Sequence, residues 1–119
     1  MNHLSHASAD GIDVIQIRAT KLLDPLRIQE VGDELIELLE GLDGNDVLLD
    51  LSRVTAISSE MFGKLMRARN KCKSEGRRFR LCGIASDLLK IFQTLNLDSY
   101  FEISREPMRS IASFESTSV

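Results

Sequence analysis

DVLLDLSRVTAISSEMFG, residues 46–63, decides how the rest of the chain is read. Its first part, Asp46 to Leu51, is a short and nearly continuous apolar run, as expected of a central strand buried on both faces. A loop from Ser52 to Ile57 follows. Two serines then stand where apolar residues begin to recur at helical spacing. Met61, Phe62, Leu65, Met66, Ala68 and Cys72 form one helix face, and Gly76 closes it. The segment therefore reads as strand, loop and helix N-terminus.

Working outward, the same alternation continues. Residues 12–19 are β-branched and partly alternating, which predicts a strand. Asp10-Gly11 before them is a turn signal, so an earlier strand within residues 3–9 would complete a hairpin; otherwise residues 1–10 would be flexible. Asp24-Pro25 supplies an acidic N-cap followed by proline at the first helical position. Ile28, Val31, Leu35, Leu38, Leu39 and Leu42 then make one apolar face, with acidic residues mostly elsewhere. Residues 78–83 predict another strand. Ser86-Asp87 opens a third helix with Leu88, Ile91, Phe92 and Leu95 on one side. Tyr100 to Ile103 is a last short strand. Pro107 can begin a terminal helix through Phe114, with residues 115–119 as a flexible tail.

This order predicts one α/β domain over residues 1–119. It has a mixed, mostly parallel sheet of four or five strands and three or four helices. One sheet face, or part of it, is expected to stay more open. Composition agrees: 119 residues, 43% hydrophobic and 28% charged, suit one core and exclude a disordered chain. No apolar run approaches a membrane span or a signal peptide, so a cytoplasmic protein is expected.

Chemistry-bearing residues are few. Cys72 and Cys82 read as reduced core residues. His3 and His6 are the only histidines, placed in an expectedly mobile terminus. They are too few for a structural zinc site and poorly placed for a Ser-His or Cys-His nucleophile. Asp13, Asp50 and Asp87 fall on separate elements, and Asp50 is expected to end its strand and bond to the following loop. No phosphate-binding glycine loop appears. Neither enzyme activity nor a metal or cofactor is expected.

The serine pair carries the functional signal. A helix N-terminus offers unpaired N–H groups and partial positive charge, favouring an anion or a phosphate on a serine there. Read from the residues alone, the pair is more simply a helix cap. Downstream, residues 64–80 hold eight of the fifteen basic residues against Glu75, a local excess of about seven positive charges in a chain of net charge −3. At helical spacing Lys64, Arg67 and Lys71 form a stripe opposite the apolar face, while Arg69 and Lys73 flank that face. A solvated helix face and a protein-docking stripe beside Ser59 are both compatible with this. The net negative charge and the lone aromatic, Phe79, argue against nucleic acid.

The chain resembles the STAS domain of bacterial anti-sigma factor antagonists. The resemblance rests on Asp50-Leu51-Ser52, Val54, Ile57, Ser59 and Gly63. It continues through Gly76, Arg80-Leu81-Cys82-Gly83, Phe92 to Leu97 and Phe101-Glu102-Ile103. At the helix start, Ser58 stands where the family usually has Asp, Glu60 replaces a second Ser or Thr, and Met61 replaces Gly.

The resemblance implies Ser59 as phosphoacceptor, with Ser58 left as the cap. It also implies that the unphosphorylated form binds an anti-sigma factor that is a serine kinase, and that a phosphatase resets the switch. The docking surface would comprise Thr55, Ile57, Ser58, Glu60 and Met61, with Lys64 and Arg67 beside them, on a monomer or weak dimer. The alternative is a STAS scaffold, never phosphorylated, within a stressosome-like or transporter-associated complex.

Overall fold

The computed structural model describes residues 2–42 and 44–104. The expected terminal helix from Pro107 and the tail from residue 115 lie outside them. In chain order the elements are β1 (Leu4–Ala9), β2 (Ile12–Ile17), β3 (Lys21–Leu22), α1 (Pro25–Gly41) and β4 (Asp46–Asp50). They continue with β5 (Ala56–Ile57), α2 (Ser59–Ser74), β6 (Phe79–Cys82), α3 (Ser86–Thr94) and β7 (Glu102–Ser104).

The main sheet has the order β1-β2-β4-β6-β7. Only β1 is antiparallel; β2, β4, β6 and β7 run parallel. The expected hairpin forms. Asp10 and Gly11, at φ 53° and 79°, supply the left-handed pair that a tight two-residue turn requires. His6 thus belongs to a paired strand, not to a mobile end.

Strand alternation separates the two sheet faces. Ile15, Ile17, Val47, Leu49 and Leu81 face a large core that also receives the apolar stripes of α1, α2 and α3. Ile12, Leu48 and Cys82 form a small cluster on the other face, with Val14 against it. The three described helices therefore all load the same core.

Helix α1 begins as its sequence dictates: an Asp24 side-chain oxygen accepts from the Arg27 N–H at 3.0 Å, and Pro25 takes the first position. Helix α3 departs from expectation. Leu88 and Phe92 are buried, and Phe92 packs edge-on against Phe62 at 5.0 Å between ring centres. Ile91 and Leu95 are exposed. A nine-residue helix touching the core along one line buries two apolar positions, not four.

One element is new. β3 and β5 pair in parallel, Lys21 with Ala56 and Leu22 with Ile57. The stretch expected to be only a loop is thus pinned to the chain between β2 and α1.

Arg77 corrects the reading of the basic segment. It is 4% exposed, not part of a solvated face. Its Nε donates to the Asn45 carbonyl at 2.7 Å and its Nη1 to the Leu39 carbonyl at 3.3 Å. The Leu39 carbonyl also accepts from the Leu42 N–H at 3.3 Å, so Arg77 adds a second donor at the C-terminal turn of α1. Glu75 lies 3.3 Å from Nη1, and the buried Asp13 carboxylate 3.8 Å from Nη2. One guanidinium ties α1, β2 and β4 to the end of α2.

Asp13 is also bonded by Ser8 Oγ and lies 2.9 Å from His6 Nε2. Ser8 and Asp13 address the same ring nitrogen of His6. A proton relay needs both ring nitrogens, so this Ser-His-Asp set anchors a buried carboxylate and does not form a nucleophile triad. Burial pushes the Asp13 carboxyl up, but the hydrogen bonds from Ser8 and His6 and the charges of His6 and Arg77 outweigh it. The group is held below its ordinary value of 3.8. A carboxyl with a depressed folded-state value adds stability that is complete above the unfolded value and is lost as pH falls through the folded one. Urea unfolding should therefore show a steep loss of stability below about pH 4, with a shallower loss in Asp13→Asn. Equal acid slopes for the two proteins would exclude Asp13 as the group responsible.

Candidate functional site

The site is built where β4 ends. Asp50 closes the strand as expected: its Oδ1 accepts from the Ser52 N–H at 2.9 Å and its Oδ2 from Gln16 Nε2 at 3.0 Å. The Leu51 N–H donates to the Cys82 carbonyl at 2.9 Å, and the Val54 N–H to the Leu51 carbonyl at 3.0 Å. Gly83 closes over this turn at φ 71°. A Cβ there would lie 2.6 Å from Asp50 Oδ1 and 3.0 Å from the Ser52 backbone nitrogen. Gln16 lies in β2 and Gly83 directly follows β6, so neither stands out in the motif itself.

The chain then runs along β3. The Thr55 N–H donates to the Thr20 carbonyl at 2.7 Å, and the Ser58 N–H to the Leu22 carbonyl at 2.9 Å. Thr55 Oγ1 adds a bond to the same Thr20 carbonyl at 3.1 Å. These bonds fix the approach to α2 before the helix begins.

Ser58 takes the N-cap position, with φ −98° and ψ 163°, but its side chain makes no capping bond. Its Oγ is buried without a hydrogen-bond partner among the described residues. The expectation that Ser58 caps through its hydroxyl is therefore corrected: the backbone bond to Leu22 directs the side chain inward. Ser59, the first residue of α2, is exposed, as is Glu60. Ser59 thus presents its hydroxyl on the positive end of a sixteen-residue helix.

The other expected docking residues divide. Thr55 and Arg67 are exposed, and Ile57 is half-buried. Met61 is fully buried and cannot contact a partner in this conformation. It is two residues beyond Ser59, so at 100° per residue it points across the helix into the core. Lys64 is half-buried, with its stem against α1. A Cβ on Gly32 would lie 2.7 Å from Lys64 Cδ, so the alkyl chain fills the space the glycine leaves. The expected stripe of Lys64, Arg67 and Lys71 is further reduced by the 3.2 Å pair of Lys71 with Glu75.

Sequence reasoning missed two residues. Leu23 and Leu26 are 51% and 67% exposed, the largest values among the described large apolar side chains. Leu23 follows directly on the Leu22–Ile57 pair, and Leu26 lies in the first turn of α1. Leu23 thus stands one residue beyond the Leu22 carbonyl that accepts from the Ser58 N–H, close to the start of α2. Leu26 was detectable: it falls opposite the Ile28, Val31 and Leu35 face of its helix.

Cys72 and Cys82 are both buried and free, as expected of reduced core residues. Burial pushes both thiols up, Cys82 to about 12. Neither is a reactive thiolate. No group of three or more metal-ligating side chains occurs among the described residues, and no described helix is long and apolar enough to cross a membrane.

A strand ending in an aspartate-locked turn, followed by an exposed serine at a helix start in a mixed, mostly parallel α/β sheet, defines a class. The chain belongs to the STAS domain family; the family model described as "Mlab, STAS domain" matches residues 8–105. Solved structures of this family superpose closely. An anti-sigma-factor antagonist (STAS) domain protein from Planctomyces limnophilus is 17% identical, covering 95% of this chain and 98% of its own, with a TM-score of 0.81. An anti-sigma factor antagonist from Mycobacterium paratuberculosis is 14% identical over 92% and 91%, with a TM-score of 0.78. The Bacillus cell fate determinant SpoIIAA in its phosphorylated form is 13% identical over 93% and 98%, with a TM-score of 0.66. At such identities the likeness is one of fold. No curated protein is similar enough in sequence to match.

Proposed function

We propose that this STAS domain is a protein-docking phosphoswitch of the anti-sigma factor antagonist type. It acts by binding, not by catalysis. Its unphosphorylated form binds an anti-sigma factor that is also a serine kinase, phosphorylation of Ser59 releases it, and a phosphatase restores it. The observation that carries this reading is the exposed Ser59 at the N-terminus of α2, with the exposed Leu23 directly after the Leu22 carbonyl that holds the Ser58 N–H. Apolar side chains give a docking surface its binding energy, and a serine at its edge gives control. A phosphate there brings nearly two negative charges next to Glu60 and into a surface that must be desolvated on binding. The helix end tolerates the phosphate while the interface does not.

Ser59→Asp is expected to weaken binding to the kinase partner by about tenfold or more, since one desolvated charge costs at least about 1.4 kcal/mol. Isothermal titration against wild type reads this directly, and equal affinities would end the switch reading.

Glu60 favours a second reading. A carboxylate beside Ser59 is already a permanent negative charge at the helix start, which suits a scaffold subunit that is never phosphorylated. Intact-mass measurement on protein from its native cell separates the two. A shift of about 80 Da that disappears in Ser59→Ala supports the switch; its persistent absence across growth conditions supports the scaffold.

A further inference from the structure

At the far end of α2, about 21 Å from Ser59 by helical rise, a cavity of about 310 Å³ opens towards the β6–β7 edge. Arg69, Lys73, Arg77 and Arg78 line it, with Tyr100 and a single carboxylate, Glu102. Four cations against one acid is an unusual lining in a chain of net charge −3. Two of the cations are already matched: Arg77 by Glu75 and Asp13, Arg78 by Glu102 at 3.2 Å. Among the described residues no carboxylate pairs with Arg69 or Lys73.

Arg69 is nonetheless held in place. Its guanidinium lies 4.4 Å from the centre of the Tyr100 ring, and its Nη1 donates to Asn70 Oδ1 at 3.1 Å. The Tyr100 hydroxyl donates to the same Asn70 oxygen at 2.7 Å. A stacked, hydrogen-bonded guanidinium has already lost its rotamer freedom and keeps N–H groups in a planar fork suited to phosphate oxygens. Lys73, one turn further along α2 and exposed, adds a mobile point charge over the same space.

We infer that this pocket binds a small soluble phosphorylated molecule, with Arg69 and Lys73 as the phosphate-binding cations. The volume lies at the lower end of the range of about 300–1,000 Å³ usual for small-molecule sites. The positive lining does not extend into a stripe long enough to follow a nucleic-acid backbone, because Arg77 is buried and the Lys64 stem lies on Gly32. This inference goes beyond the proposed switch and does not depend on Ser59.

Isothermal titration of the full chain with inorganic pyrophosphate tests it. Saturable binding is expected, weakened by about fivefold or more in Lys73→Ala, an exposed position whose loss leaves the fold intact. Lys90→Ala on α3 removes the same charge outside the cavity and should alter affinity by less than about twofold. Three results would overturn the inference: no heat at millimolar pyrophosphate, equal weakening by the two variants, or capture of anionic phosphatidylglycerol vesicles without a response to pyrophosphate.

Discussion

Arg77→Met is expected to destabilise the protein by about 3–5 kcal/mol, the range for breaking a buried ion pair from one side. Arg77 and Asp13 are each almost wholly buried. Methionine approximates the length of the arginine stem, so packing loss is kept small. What remains is electrostatic. The Asp13 carboxylate loses its buried cation, the Asn45 carbonyl loses its 2.7 Å donor, and the Leu39 carbonyl keeps only the Leu42 N–H. A domain of this size has about 5–15 kcal/mol of stability in total, so the variant should show a far lower urea midpoint. Asp13→Asn combined with Arg77→Met should recover part of the loss, because the stranded charge is gone. A single-variant effect below about 1 kcal/mol would mean that water or His6 already satisfies Asp13.

Gly83→Ala is the second large effect, and it couples stability to the site. A left-handed φ costs a non-glycine residue about 1–2 kcal/mol. The added Cβ also overlaps Asp50 Oδ1 and crowds the Ser52 nitrogen. Relief requires the Asp50–Ser52 turn to move, and such overpacking costs about 1–3 kcal/mol more. The expected total is about 2–5 kcal/mol. Because this turn feeds β5 and the start of α2, amide exchange should accelerate across residues 51–58 more than in α1. An unchanged melting temperature, or exchange that rises uniformly, would show that Gly83 does not hold the turn.

Most of the fold was legible in the chain because its signals are local. The Asp24-Pro25 cap, the Asp10-Gly11 turn and the three- and four-residue spacing in α1 and α2 each act within a few residues. The buried run at 46–51 follows from needing apolar side chains on both faces of a central strand. The candidate site was only partly legible. Ser59 could be placed at a helix start from the residues around it, since helix boundaries are set nearby. Met61 was legible as part of the apolar face of α2 and is buried there; the resemblance alone put it on the docking surface, and a side chain turned into the core cannot also meet a partner.

What the sequence by itself determined, then, is the succession of elements and the position of Ser59 at the start of a helix. Tertiary structure alone decided what surrounds that serine and where the charge goes. The β3–β5 pair joins two-residue segments thirty-five positions apart, too short for either to show a periodic pattern. It places the Leu22–Leu23 end of one segment beside the start of α2. The basic run at 64–80 looked continuous because sequence adds charges along a line. Folding distributes them in three dimensions, where burial makes each cation find a partner or return to water. Arg77 was drawn inside by Asp13 and two carbonyls. The Lys64 stem went to the surface of α1, and Lys71 to Glu75. Arg69 and Lys73 remain at a cavity far from Ser59, so the basic side chains near the C-terminus of α2 and the serine at its N-terminus are separate places on the molecule.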